Sequence, residues 1–136
     1  MIDMHIHILP EVDDGSRSLE MSLEMASVAV STGVHSMIAT PHCYRGLYEN
    51  YASDRLQHIW DRLHSALHRH GIPIHLYQGM EIMACDDLPE LLESGKVWTL
   101  NGTRYFLLEF EFDENPEYCS KIIRSCIKAG YIPVIA

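Results

Sequence analysis

The chain has 136 residues, 47% of them hydrophobic and 21% charged, which suits one globular domain with a real core. Ten Lys and Arg against 19 Asp and Glu leave a formal charge of −9, which argues against a nucleic-acid backbone as partner and suits a protein that holds cations. No basic, apolar leader opens the chain, no apolar run reaches bilayer length, and Cys43, Cys85, Cys119 and Cys126 form no Cys-x-x-Cys pair, so they read as reduced thiols of a cytoplasmic protein.

In chain order, Ile2–His5 reads as a first strand. Leu19–Ser31 reads as a helix, with Leu19, Leu23, Ala26 and Val30 on one face and Gly33 as the stop. Ser36–Thr40 is a second, buried strand. From about Ser53 to His70 the pattern is amphipathic, with Leu56, Ile59, Trp60, Leu63 and Leu67 on one face and Gly71 at the end. Ile74–Met80 is a third strand, and Leu88–Glu93 a short helix. Val97–Leu100 leads to an Asn101-Gly102 turn and then to a strand at Tyr105–Glu109. Asn115-Pro116 caps a further helix, whose buried face carries Ile122, Ile123, Cys126 and Ile127 before Gly130. Tyr131–Ala136 reads as a buried strand with no turn or polar tail after it, the expectation for a piece of a larger domain. Strands alternating with helices predict an α/β fold with a parallel sheet or barrel.

The chemistry lies at the strand ends. In His5-x-His7 the alternation of an extended strand projects Asp3, His5 and His7 to one side. Two imidazoles with a carboxylate suit a borderline divalent cation. His42 closes the second strand, Glu81 the third and Glu109 the next. Parallel strands converge at their C-terminal ends, so such residues meet around one centre. Of the pair after the dyad, Asp14 is the favoured ligand and Asp13 stays open, while Asp3 reads as a buried partner that orients a ligating imidazole. His58, His64, His68 and His70 read as a solvated helix face, and His35 and His75 as structural. His64 and His68 are four apart, but Ser65 stands where a His-Glu-x-x-His motif needs glutamate. His42-Cys43 mimics the start of a cysteine-phosphatase loop, but Glu49 stands where that loop's arginine belongs. No glycine-rich phosphate or dinucleotide loop occurs.

Met1–Pro10 with Val12-Asp-Asp-Gly15, Ala39-Thr-Pro-His42, Tyr48-Glu-Asn50, Gly79-Met-Glu81 and Thr99–Phe110 resemble the PHP (polymerase and histidinol phosphatase) superfamily. More narrowly, they resemble its bacterial manganese-dependent protein-tyrosine phosphatases of the capsule and exopolysaccharide clusters. The resemblance runs through all 136 residues in order. It implies a distorted (β/α) barrel, here truncated after about the fifth strand. It also implies a cluster of divalent metals, with manganese expected and iron or zinc as alternatives, held by His5, His7, Asp14, His42, Glu81 and Glu109. An Asp-x-His ligand pair and phosphate-binding arginines would follow later in such a chain. The reaction implied is hydrolysis of a phosphomonoester by metal-activated hydroxide, without a covalent enzyme intermediate. Arg45, just beyond His42, is a candidate phosphate contact, with a solvated loop arginine as the alternative. The implied partner is a phosphotyrosine protein, the tyrosine-rich tail of a bacterial tyrosine kinase. An oligomer is compatible with the sequence. The rival readings are a small-molecule phosphatase of the histidinol-phosphate type and a metal-binding module without turnover. The Leu-Pro-x-x-Asp-Asp-Gly and Tyr-Glu-Asn segments favour the tyrosine-phosphatase branch.

Overall fold

The computed structural model describes residues Met1–Ala136. The chain forms strand β1 (Ile2–Ile6), helix α1 (Leu19–Ser31), strands β2 (Ser36–Ala39), β3 (His42–Tyr44) and β4 (Tyr48–Glu49), helix α2 (Asp54–Arg69), strands β5 (His75–Gln78) and β6 (Glu81–Met83), helix α3 (Leu88–Glu93), a 3₁₀ turn (Leu100–Gly102), strand β7 (Tyr105–Glu109), helix α4 (Pro116–Lys128) and strand β8 (Ile132–Ile135). Local chemistry sets the helix starts. Ser18, Ser53 and Asn115 each accept a backbone N–H of the first turn, and Pro116 supplies a position where no N–H is needed. The Asn101-Gly102 turn forms as the sequence suggests, with Asn101 in the left-handed region at φ 52°, but Val97–Thr99 before it is irregular rather than a strand.

The strands make two sheets, ordered β1-β2-β5 and β4-β3-β6-β7-β8. All pairings are parallel except the short β3–β4 hairpin. The two sheets arise because two runs of the chain are interrupted. Thr40 and Pro41 separate β2 from β3, and Gly79 and Met80 separate β5 from β6. At Gly79 the backbone passes so close to the neighbouring run that a Cβ would lie 2.6 Å from Ile38 Cγ2. The sequence reading therefore needs correcting in detail: His42 and Glu81 do not close their strands but open the next ones.

The main core cluster includes Ile8, Leu9, Met37, Leu63, Met80, Phe106, Leu108 and Ile122, and a smaller one joins Ile38, Leu100 and Leu107. Each such side chain contributes about 1.5–3 kcal/mol on leaving water. β1 is less buried than a core strand would be: Ile2 and Met4 are exposed and Asp3 is only half-buried. β8 is half-buried to exposed, not the buried strand expected from its composition, since it pairs with β7 along one edge alone. No helix is long and apolar enough to cross a membrane.

Candidate metal centre

Parallel register brings the chemistry together. His42 on β3 lies directly beside Glu81 on β6, and Met83 beside Glu109 on β7. His5, near the end of β1, and His7, just past it, bring their rings to the same place, with Nε2 atoms 3.1 Å apart. The buried Glu81 carboxylate occupies the middle. Its Oε2 is 3.1 Å from His5 Nε2, 2.9 Å from His7 Nε2 and 3.2 Å from His42 Nδ1. Glu109 Oε2 stands 3.2 Å from the same His42 Nδ1. Asp14 Oδ1 completes the rim at 3.6 Å from His42 Nε2 and 3.7 Å from His7 Nδ1.

The six residues selected from the sequence thus converge, in three overlapping triads: His5–His7–Glu81, His7–Asp14–His42 and His42–Glu81–Glu109. Donor atoms about 2.1 Å from one ion, at the bond angles usual for these ligands, lie about 3.0–3.4 Å from each other. The spacings within the cluster fall in or near that range. Three of its polar atoms, His42 Nδ1, Glu81 Oε2 and Glu109 Oε2, are buried without a hydrogen bond. Buried polar atoms are normally satisfied, so their convergence fits a divalent cation shared among them.

The electrostatics agree. Burial opposes a charged His7, but its hydrogen bond to Asp13 and the negative charge of Asp13 and of the adjacent Glu81 prevail and push its imidazole up to about 10. Burial likewise opposes ionised Glu81, yet His7, His5 and His42 hold its carboxyl below the usual range. For Glu109 burial dominates and the Glu81 charge adds to it, so its carboxyl is raised. Two carboxylates with opposite shifts in one site are a like-charge pair, and a cation between them would relieve the strain.

Asp13 is the residue the sequence left open; it lies behind His7 and His42 and is not in any of the three triads. Its side chain is fully buried. Its Oδ2 accepts from His7 Nδ1 at 3.1 Å and from the His42 backbone N–H at 2.9 Å, while Oδ1 accepts from the Gly15 N–H. These bonds lower its carboxyl pKa in spite of burial. With Nδ1 engaged, His7 turns Nε2 toward the cluster, the usual arrangement of a carboxylate behind a ligating imidazole. Gly15 permits this packing, because a Cβ there would collide with the His7 carbonyl and Cβ. The role expected of Asp3 belongs to Asp13: Asp3 accepts only the backbone N–H of His5.

Other expectations meet mixed outcomes. His58, His64, His68 and His70 are exposed, as read. His35 and His75 are exposed too, contrary to the structural role expected, although His35 Nδ1 lies 3.0 Å from Ser36 Oγ. Arg45 is exposed and makes a two-pronged ion pair with Asp87, at 2.7 and 3.0 Å. Cys43, the decoy nucleophile, is 4% exposed, and burial pushes its thiol up to about 12, so it carries no thiolate near neutrality. Two residues escaped the sequence reading as site residues: Tyr48, stacked on the His42 ring at 5.5 Å, and Asn50, buried beneath it. Their signal was the Tyr48-Glu-Asn50 run itself, one of the segments that carry the family resemblance.

Comparison with known proteins shows the family of the chain. The family model for capsular polysaccharide synthesis proteins CpsB/CapC matches residues 1–136. The chain belongs to the CpsB/CapC family. It is 40% identical over its full length to tyrosine-protein phosphatase YwqE of Bacillus subtilis, covering 53% of that protein. It is 33% identical to the putative tyrosine-protein phosphatase CapC of Staphylococcus aureus, again covering all of this chain and 53% of the relative. A solved structure, from work on YwqE of Bacillus subtilis and CpsB of Streptococcus pneumoniae as metal-dependent tyrosine phosphatases, superposes with a TM-score of 0.90 at 39% identity. It covers 99% of this chain and 54% of the other. The chain therefore spans about half the length of the curated relatives it matches.

Proposed function

We propose that this chain is the N-terminal portion of a single metallophosphatase domain, a distorted β/α barrel of the PHP type, which hydrolyses phosphotyrosine on proteins in the control of capsule or exopolysaccharide synthesis. The observation that carries the reading is the Glu81 carboxylate oxygen ringed by three imidazole nitrogens within 3.2 Å, beside the unpartnered Glu109 oxygen. Support also comes from the relatives, which are named tyrosine-protein phosphatases, and from a solved neighbour described as metal-dependent.

His5, His7, Asp14, His42, Glu81 and Glu109 would hold the metals. Imidazole and carboxylate donors suit manganese, with iron or zinc also accepted by such a set. When bound, clustered divalent ions lower the pKa of water and neutralise charge on a phosphoryl group. The protein's part is positional. Asp13 holds the His7 tautomer, the β3–β6–β7 register sets the spacing of His42, Glu81 and Glu109, and the buried Glu81 keeps the centre anionic. A phenolate leaving group, whose conjugate acid has a pKa of about 10, needs less protonation than an alkoxide. Arg45 is the phosphate contact this portion offers, in exchange for its pairing with Asp87. The cellular partner in this reading is the tyrosine-rich tail of a bacterial tyrosine kinase, met in the cytoplasm.

The test is phosphate release from a phosphotyrosine peptide by the full-length protein, with Mn2+ and after chelation. Release that stops on chelation and returns with Mn2+ is expected. A folded protein that releases none with any divalent ion would overturn the reading. Arg45→Ala should raise KM several-fold and leave kcat nearly unchanged, because a surface charge contact helps hold the substrate rather than assemble the metal site.

A further inference from the structure

We infer that Asn50 is a positioning residue that fixes the Asp14-bearing loop against His42, and so acts on the metal positions that His42 shares more than on the His5–His7–Glu81 position. The inference rests on the metallophosphatase reading above. Asn50 is 6% exposed and lies just past β4, on the return arm of the hairpin that β3 opens. Its Nδ2 donates to the Val12 carbonyl at 2.8 Å and to the His42 carbonyl at 2.9 Å. Two acceptors at once require the two protons of an amide nitrogen, so the orientation of the side chain follows from the network.

The consequence is local. Val12 immediately precedes Asp13 and Asp14 in the chain, and His42 is the ligand that faces Asp14. The Asp14 side chain is 63% exposed and accepts no backbone N–H, so its own packing does not hold it in place. What holds it is the loop, tied to the His42 backbone on both sides: Asp13 accepts the His42 N–H and Asn50 donates to the His42 C=O. The same return arm lays the Tyr48 ring parallel to the His42 imidazole, at an interplanar angle of 8°. The His5–His7–Glu81 triad stands on β1, the residue just past it and β6, and takes no bond from Asn50. Removing the donors of Asn50 should therefore loosen the His7–Asp14–His42 position most and spare the His5–His7–Glu81 position.

The experiment uses the full-length protein stripped of metal and titrated with Co2+, read by visible absorption and by metal equivalents bound, for the wild type, Asn50→Asp and Asn50→Ala. Asn50→Asp keeps the shape and turns two donors into acceptors facing carbonyls; Asn50→Ala removes the donors without adding charge and serves should the first variant not fold. The expected result is about 10- to 100-fold weaker binding of at least one equivalent, the range for losing a supporting contact, with at least one other equivalent unchanged; the metal-free Tm falls modestly in both variants, because the Val12 and His42 carbonyls lose their donor. Binding within twofold of wild type at every equivalent overturns the inference. Parallel loss of all equivalents also overturns it, since that is a general structural role. A wild-type protein that takes up no divalent ion instead overturns the metallophosphatase reading itself.

Discussion

Two parts of this molecule are rich in histidine, and they differ in every respect that matters. At the strand ends, His5, His7 and His42 stand within 3.2 Å of one buried carboxylate oxygen. On α2 and its cap, His58, His64, His68 and His70 are exposed. His64 merely stacks on Trp60, 4.8 Å away, and Arg69 and His70 extend the polar face into solvent. Histidine content does not distinguish a metal centre from a solvated helix. What distinguishes them is a buried anion shared by imidazoles that come from different strands.

The comparison breaks most sharply at Glu81. Glu81→Gln should lower metal-dependent phosphate release by more than the roughly 100-fold expected for a supporting contact, because it removes the charge common to two of the triads. Metal content measured on the same sample should fall with it; an active, fully loaded Glu81→Gln protein would remove the basis of the site. Asp13→Asn comes next. It keeps a hydrogen-bonding group near His7 and the His42 N–H but loses the charge that orients the imidazole, so metal affinity should drop about 10- to 100-fold, measured by competition with a chromophoric chelator.

A pH series gives a smaller effect. In the metal-free protein His7 titrates near 10, above its ordinary value, so at neutral pH it carries a proton that metal must displace. Metal binding should release protons and tighten as pH rises toward that value, which calorimetry in buffers of different ionisation heat will show. The stability of the metal-free protein runs the other way. A raised imidazole pKa contributes stability that is complete below about 6.5 and fades as pH climbs through about 10. The smallest effect belongs to the helix. A His64→Ala, His68→Ala double variant should keep metal content and activity and shift stability by no more than about 0.5 kcal/mol per site, as exposed substitutions do. A large loss of activity there would show that the two regions are not separate.

Much of this was legible in the residues. Apolar periodicity, the Asn115 cap and terminal glycines marked the helices to within a residue or two, because these signals act within one turn. The cluster was legible because His5, His7, His42, Glu81 and Glu109 punctuate successive strands and a parallel arrangement gathers such positions at one end. Where the reading failed, the cause was contact at a distance. Nothing near Asp3 or Asp13 in the chain says which of them faces an imidazole; the Gly15 turn, by letting the loop press on His7, chose Asp13. Likewise the break at Gly79, forced by the nearness of Ile38, turned Glu81 from the end of one strand into the start of the next.

By itself, then, the sequence determined the alternation of strands and helices, the family and the identity of the residues that gather at the strand ends, since these depend on local propensity and on residue type. Tertiary structure alone decided the rest: that Glu81 sits at the centre and Asp14 at the rim, that Asp13 stands behind His7, and that Asn50 ties two loops separated by 38 residues. The reason is physical. Burial, register and the pairing of polar groups are properties of the whole packed chain, and they set both the distances and the charge states on which a metal centre depends.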